Sequence, residues 1–169
     1  MKREKNIVLI GMPGSGKSTV GVILAKTLGM GFVDGDILIS QREECTLQEI
    51  LDERGLDAFL QVEEETMLET DYRGTVIATG GSVPLREKAM EHLAKGGIFV
   101  YIDVPIDELT RRIRNISTRG IAFAPGQTLA DLYAQRTPIY QRWADITVKV
   151  EPEDNVTARV VEAIISQLK

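Results

Sequence analysis

The sequence predicts one α/β domain, a mostly parallel sheet with helices on both faces. Two observations predict it. Short apolar, β-branched runs alternate with longer helical patterns along the 169 residues, as βαβ units produce. Residues 11–18, Gly11-Met12-Pro13-Gly14-Ser15-Gly16-Lys17-Ser18, match G-x-x-x-x-G-K-[ST] in full. That is the phosphate-binding P-loop pattern, and it falls between a strand run and a helical run, the context that confirms it.

The elements follow in order. Ile7-Val8-Leu9-Ile10 makes 6–10 a buried parallel strand, and 17–28 has helical composition. Strand 31–33 leads to helices at 35–43, 46–53 and 57–70. Thr46 with Glu49 forms a capping box for the second of these. Strand 75–78 precedes a helix over 85–95 opened by Pro84, and strand 97–102 precedes one over 105–114 opened by Pro105. Helix 128–142, strand 145–150 and helix 155–168 complete the chain. Gly29, Gly31, Gly55, Gly96 and Gly97 read as helix ends and turns. Pro138 predicts a local irregularity in its helix. Asn115 to Gly126 shows no periodicity and carries a central Arg119; we read about 115–126 as an active-site lid.

Bulk properties exclude several classes. A net charge of −5 argues against a duplex nucleic-acid partner and asks for local positive charge in any pocket that takes an anion. One cysteine, Cys45, leaves no intramolecular disulfide and no cysteine-based zinc site; we expect it to be small and half-buried. No apolar run approaches a membrane span, and the charged N-terminus enters a strand directly, so the chain reads as cytoplasmic, with no membrane partner. His92, the single histidine, reads as a surface residue. Tyr140 and Trp143 read as packing the last helix.

The chemistry gathers at strand ends. Loop glycines let the backbone fold around phosphate oxygens, and the amides of the loop and of the following helix point at the anion. Lys17 reaches the β- and γ-phosphates, and the Ser18 hydroxyl suits Mg²⁺. Phe32-Val33-Asp34-Gly35-Asp36 ends the second strand. On an extended chain residues i and i+2 face one side, so Asp34 and Asp36 sit together where α/β sheets bind ligands. One acid can enter the Mg²⁺ shell while the other takes a proton from an attacking alcohol; the plainer reading is an Asx cap. Thr79-Gly80-Gly81-Ser82 permits close approach of a ligand to backbone, or is a plain turn. Either Arg111 or Arg112 can lie on an adenine ring. Arg136, in Arg136-Thr137-Pro138-Ile139-Tyr140, can fork onto a carboxylate or phosphate.

Together these residues resemble the shikimate kinase family, within the nucleoside monophosphate kinase branch of P-loop proteins. The resemblance rests on the P-loop, Asp34-x-Asp36, Thr79-Gly80-Gly81, Arg119 and Arg136-x-Pro138-Ile139-Tyr140, and spans nearly the whole chain. It implies a single three-layer P-loop kinase domain over 1–169, with a five-stranded parallel sheet in order 2-3-1-4-5, flanking helices and a lid. It implies that ATP is held by Gly14, Ser15, Gly16, Lys17, Ser18, Thr19, Arg112 and Arg119, and Mg²⁺ by Ser18 and Asp34. It implies Asp36 as base and substrate contact, Gly80 and Gly81 lining the substrate, and Arg136 on its carboxylate. Lys17, Asp36 and Arg119 are then the catalytic residues.

Three departures stand beside it. The family's Gly-Glu-x-x-Phe-Arg segment, whose arginine pairs with the substrate carboxylate, is here Gly55-Leu56-Asp57-Ala58-Phe59-Leu60. Its Gly-Gly-Gly is Gly80-Gly81-Ser82, and its lid Arg-Pro is Arg119-Gly120. Either another cation, Arg54, takes the missing place, or the pocket is refitted to a different ligand with Leu60 offering apolar surface. The expected activity is that of an ATP-dependent small-molecule kinase, acting as a monomer on a hydroxyl of shikimate or a related small alcohol. The rivals are a kinase of another small hydroxy compound and a nucleotide-binding regulatory homologue with weak phosphotransfer. A binding-only module has no need of Asp36 or Arg119.

Overall fold

Every residue of strand β1 (Asn6–Ile10) is buried, which is where a Val/Ile/Leu run settles when both faces of a parallel sheet are covered. The computed structural model describes residues 4–113, 120–152 and 156–169. β1 is central in a five-stranded sheet of order β2-β3-β1-β4-β5, with β2 (Gly31–Asp34), β3 (Thr75–Ala78), β4 (Gly97–Asp103) and β5 (Ile146–Lys149). All four pairings are parallel, and Ile7 stands opposite Val76 on one side and Ile98 on the other. The predicted order is the observed one. The chain leaves β1 toward β2 on one side and later places β4 on the other. The carboxyl ends of β1 and β3 therefore border the crevice where such sheets take ligands.

The helices are α1 (Lys17–Leu28), α2 (Gly35–Glu43), α3 (Leu47–Leu68), α4 (Glu87–Ala94), α5 (Ile106–Arg112), α6 (Leu129–Trp143) and α7 (Val156–Gln167). The Thr46 box at the start of α3 is present: Glu49 N–H donates to the Thr46 hydroxyl, and Thr46 N–H donates to the Glu49 carboxylate. Thr128 and Asp131 repeat the device on α6. α3 breaks at Gly55, whose φ of 83° and ψ of 176° no helix contains; the two helices expected at 46–53 and 57–70 are its two arms. Pro84 opens a short 3₁₀ turn, Val83–Leu85, and the following helix starts only at Glu87. α6 runs unbroken through Pro138, so no interruption follows from that proline. No helix among the described residues is long and apolar enough to cross a membrane.

Among the described residues the buried apolar side chains form two clusters. The larger surrounds β1 and β4 and takes in α1, α4, α6 and α7. The smaller consists of Ile39 from α2, Ile50 and Phe59 from the two arms of α3, and Ala122, with Cys45 and Leu60 packed against it. Tyr140 and Trp143 belong to the β4 side rather than to the last helix. The Tyr140 ring lies 5.3 Å from Tyr101, and Trp143 meets Phe99 edge-on at 5.8 Å. The α6 face that carries them looks toward the sheet, which overrides their nearness in sequence to α7. His92 lies away from the carboxyl ends of the strands, with Nε2 at 2.7 Å from the Thr70 carbonyl.

The junction of β1 with the loop that follows sets the tightest backbone constraint. Gly11 has φ +149°, and a Cβ there would lie 2.8 Å from the Ile102 carbonyl oxygen of β4. Gly11→Ala should therefore lower stability by about 1–3 kcal/mol, read as a lower urea midpoint at unchanged m-value. An unchanged midpoint would mean that β1 and β4 yield freely at this point.

Candidate active site

α1 begins where an anion can use it. Its N-cap, Gly16, is left-handed with φ 88°, no side chain caps the first turn, and that turn carries no acidic residue. The first amides of the helix and those of the loop stay available for phosphate oxygens. Lys17 is the first helical residue and is buried. Its ammonium donates to the Gly11 and Met12 carbonyls, both at 2.8 Å, and to the Ser15 hydroxyl at 3.3 Å. Burial lowers its pKa to about 8; Asp36 opposes that most strongly, Arg136 adds to it, and Asp34 and Glu63 oppose it.

Asp34 serves as both cap and site residue. One oxygen accepts from Asp36 N–H at 2.9 Å and caps α2, and the other contacts the Ser18 hydroxyl. The two sequence readings of this pair are compatible, because a carboxylate has two oxygens. Asp36 is not on an extended chain as expected. β2 stops at Asp34, and Asp36 lies in the first turn of α2. The helix start still brings it beside Asp34. The protein around its carboxylate, and then Asp34, push its pKa up to about 6 against the pull of Lys17. Asp36 remains solvent-exposed at the mouth of a cavity of about 490 Å³, which is also lined by the P-loop, Thr79 to Ser82, Phe59, Glu63, Arg112, Ala122 and Arg136.

The structure distinguishes the two neighbouring arginines. Arg111 turns to the surface and pairs with Glu108. Arg112 is tied to the same carboxylate at 2.8 Å and reaches the Gly14 carbonyl at 3.4 Å, so it lies against the P-loop. The two guanidiniums hold Glu108 at a pKa of about 2. Arg119 falls in 114–119, outside the described residues. Arg136 is 2% exposed; one nitrogen donates to the Ala122 carbonyl at 3.0 Å, and its Nε has no hydrogen-bond partner.

One residue that sequence reasoning passed over, Glu63, completes the cavity together with Ser82. Glu63 is 1% exposed. It stands in Glu63-Glu64-Glu65, a run that looks like a solvated helix face. Yet Phe59 and Met67, one turn to either side of it, are both buried, and i, i±4 spacing places Glu63 on that same inward face. The Ser82 hydroxyl donates to Glu63 Oε1 at 2.6 Å. Burial raises the Glu63 pKa to about 7; the Ser82 hydrogen bond, Arg136 and Lys17 hold it down, while Asp36 raises it. Ser82 is thus the hydrogen-bonding partner of an acid as well as a departure from a glycine pattern.

The other departures also have structural reasons. Leu60 packs against the smaller apolar cluster rather than lining the cavity. Arg54 does not reach the pocket: it pairs with Glu43 at the surface, because the break at Gly55 separates it from the arm that carries Phe59 and Glu63. Gly120 has φ +63°, donates its N–H to the Gln48 side chain at 3.1 Å and passes against Leu47. Proline could supply neither that amide nor that backbone angle.

Among the described residues no three His, Cys, Asp or Glu side chains converge as a metal cage. The hydroxyl–carboxylate contact of Ser18 and Asp34 is the hard-oxygen set that suits Mg²⁺ held jointly with phosphate and water. The residues present therefore fit that ion.

The family model described as shikimate kinase matches residues 13–169. A shikimate kinase from Nostoc sp. is 38% identical over 97% of this chain and 93% of its own length. Human threonine synthase-like 1 is 36% identical over 95% of this chain, which spans 22% of that protein. Among solved structures, shikimate kinase from Acinetobacter baumannii in complex with shikimate superposes with a TM-score of 0.88 at 30% identity, covering 98% of this chain and 93% of its own.

The paired shifts of Asp36 and Lys17 give a pH signature. Proton transfer to Asp36 needs its carboxylate, and phosphate contact needs the Lys17 ammonium. In the free protein kcat/KM should rise through pH of about 6 and fall above about 8. Asp36→Asn should cut turnover by roughly 10²–10⁴ and remove its own share of the acid limb, leaving only what Glu63 supplies through its pKa of about 7. Turnover at the unmodified rate in the asparagine variant would remove Asp36 from the role of base.

Proposed function

The chain belongs to the shikimate kinase family and is an ATP-dependent phosphotransferase acting on a hydroxyl, and we propose a division of labour among its residues. The P-loop amides with Lys17, Ser18 and Thr19 hold the phosphates, and Arg112, braced by Glu108 against the loop, covers the adenine. Arg119 joins the transferring phosphoryl group from the lid. Ser18 and Asp34 hold Mg²⁺, which when bound neutralises phosphate charge. Gly80 and Gly81 line the acceptor, and Arg136 takes its anionic group.

Asp36 accepts the proton of the acceptor hydroxyl. That oxygen then forms a bond to the γ-phosphorus as the bond to the β,γ-bridging oxygen breaks, leaving ADP. Lys17 faces the charge that spreads over the phosphoryl oxygens. Electrostatic stabilisation of this kind supplies most of the rate in phosphoryl transfer. A single observation carries the reading. One cavity brings together the uncapped start of α1, the buried Lys17, the Ser18–Asp34 contact and a carboxyl group poised near neutrality. A nucleotide-binding module without phosphotransfer would have no use for the last of these.

The test is a coupled ADP-release assay with shikimate and a panel of small hydroxy acids, sugars and amino-alcohols as acceptors. Lys17→Ala should lose at least about 10²-fold in turnover while its far-UV circular dichroism and melting transition stay cooperative. Turnover at the unmodified rate in that variant would remove Lys17 from the mechanism. Asp34→Asn should raise the Mg²⁺ concentration needed for half-maximal rate with little change in saturated turnover; equal magnesium rescue of Asp34→Asn and Asp36→Asn would overturn the separation of their roles.

A further inference from the structure

The acceptor side of the cavity holds one buried cation and one buried acid that do not satisfy each other. Arg136 is 2% exposed and Glu63 is 1% exposed. Each feels the other's charge, yet neither has an oppositely charged group within 4.0 Å among the described residues. Burying charges without direct partners is costly; the raised Glu63 pKa of about 7 relieves the acid in part, and a ligand that met both groups would relieve the pair. Arg136 donates to the Ala122 carbonyl and interacts with the Tyr140 hydroxyl, while its Nε has no hydrogen-bond partner. Glu63 spends Oε1 on Ser82 and keeps Oε2.

The spare groups flank successive residues of one turn. A Cβ added to Gly80 would overlap Glu63 Oε2 and lie 3.2 Å from Asp36 Oδ1, and one added to Gly81 would lie 3.2 Å from Arg136 Nη1. An anion pole, a cation pole and the base Asp36 are thus gathered around one short stretch of bare backbone. No second cation stands beside Arg136 from α3, because Leu60 is committed to the cluster with Ile39, Ile50, Phe59 and Ala122.

We propose that the acceptor is a small hydroxy-amino acid: Arg136 binds its carboxylate, Glu63 binds its ammonium, and Asp36 receives the proton of its hydroxyl. This rests on the kinase reading above and adds the substrate class to it. A zwitterion matches both poles at once, whereas a plain hydroxy acid leaves Glu63 unpaired. Ser82 is the positioning residue of this arrangement. Its hydrogen bond fixes Oε1 and so presents Oε2 to the ligand. A site that pairs with a substrate group rejects the analogue lacking it far more strongly than an apolar pocket rejects a missing methylene.

The experiment is the ADP-release assay on the full chain with matched acceptors: L-homoserine against 4-hydroxybutyrate, L-serine against 3-hydroxypropionate, and shikimate. In at least one pair kcat/KM should favour the amino compound by about 100-fold or more. Glu63→Gln should bring that ratio toward one, chiefly through the acceptor KM, with the KM for ATP unchanged. Ser82→Ala, which deletes only the hydroxyl at an ordinary backbone angle, should lower the same ratio by about tenfold and serves if Glu63→Gln does not fold. Shikimate turned over best, with both pairs indistinguishable, overturns the hydroxy-amino acid assignment and leaves the kinase reading standing. An amino preference that survives Glu63→Gln and Ser82→Ala also overturns it. No ADP release with any acceptor overturns both.

Discussion

The buried ammonium of Lys17 is the charge that the rest of the site is arranged around. Burial works against it, and three carboxyl groups, Asp36, Asp34 and Glu63, work in its favour from separate elements. They come from the end of β2, the first turn of α2 and the inner face of α3. Two backbone carbonyls of the loop hold it at 2.8 Å. The loop takes that course because β1 is buried on both faces and ends against β4. The sheet order, the positions of the helix starts and the chemistry of the cavity therefore meet at one side chain. Its charge in turn pulls down the pKa values of Asp36 and Glu63, which keeps both acids within reach of neutrality.

Much of this was legible in the chain because the signals were local. The P-loop, the apolar runs and the Thr46–Glu49 box each depend on a few consecutive residues, and each is where it was expected; of the glycines read as helix ends and turns, Gly31 and Gly97 instead open β2 and β4. The sheet order was legible through the family resemblance. The misreadings share a cause, since each concerned which way a segment faces once packed. Asp34 and Asp36 were paired by the two-residue spacing of an extended chain, although the helix expected from residue 35 already takes in Asp36; the Asp34 cap at that helix start is what brings them together. Glu63 was hidden by the two acids that follow it. Arg54 looked close to the pocket in sequence, and Gly55 turned it away. Tyr140 and Trp143 follow the inward face of α6.

The break at Gly55 also explains why Leu60 belongs where it is. A straight α3 would align its two arms along one axis, whereas the bend lets Ile50 and Phe59 meet Ile39 and Ala122 in a core of their own. That small core borders the cavity through Phe59 and Ala122, the latter from the segment leading out of 114–119. An arginine at position 60 would have to leave a charged group at this apolar contact or turn it into the cavity. A leucine strengthens the packing and leaves Glu63 without a cation from its own helix. Packing and charge pattern on this side of the site are thus two results of one substitution against the family pattern.

The Arg136–Ala122 hydrogen bond has a consequence for the order of events in catalysis. The Arg136 guanidinium, proposed above to meet the acceptor, is steadied by a carbonyl only three residues beyond Arg119 in the chain. The same segment is pinned to α3 through Gly120 and Gln48. If Arg136 binds the acceptor as proposed, anything that settles this segment over a bound nucleotide also sets the angle of its guanidinium. Binding free energies are reciprocal, so each substrate then tightens the other by the same factor. The two halves of the reaction share a single tether, and synergy between substrates follows from it without any further moving part.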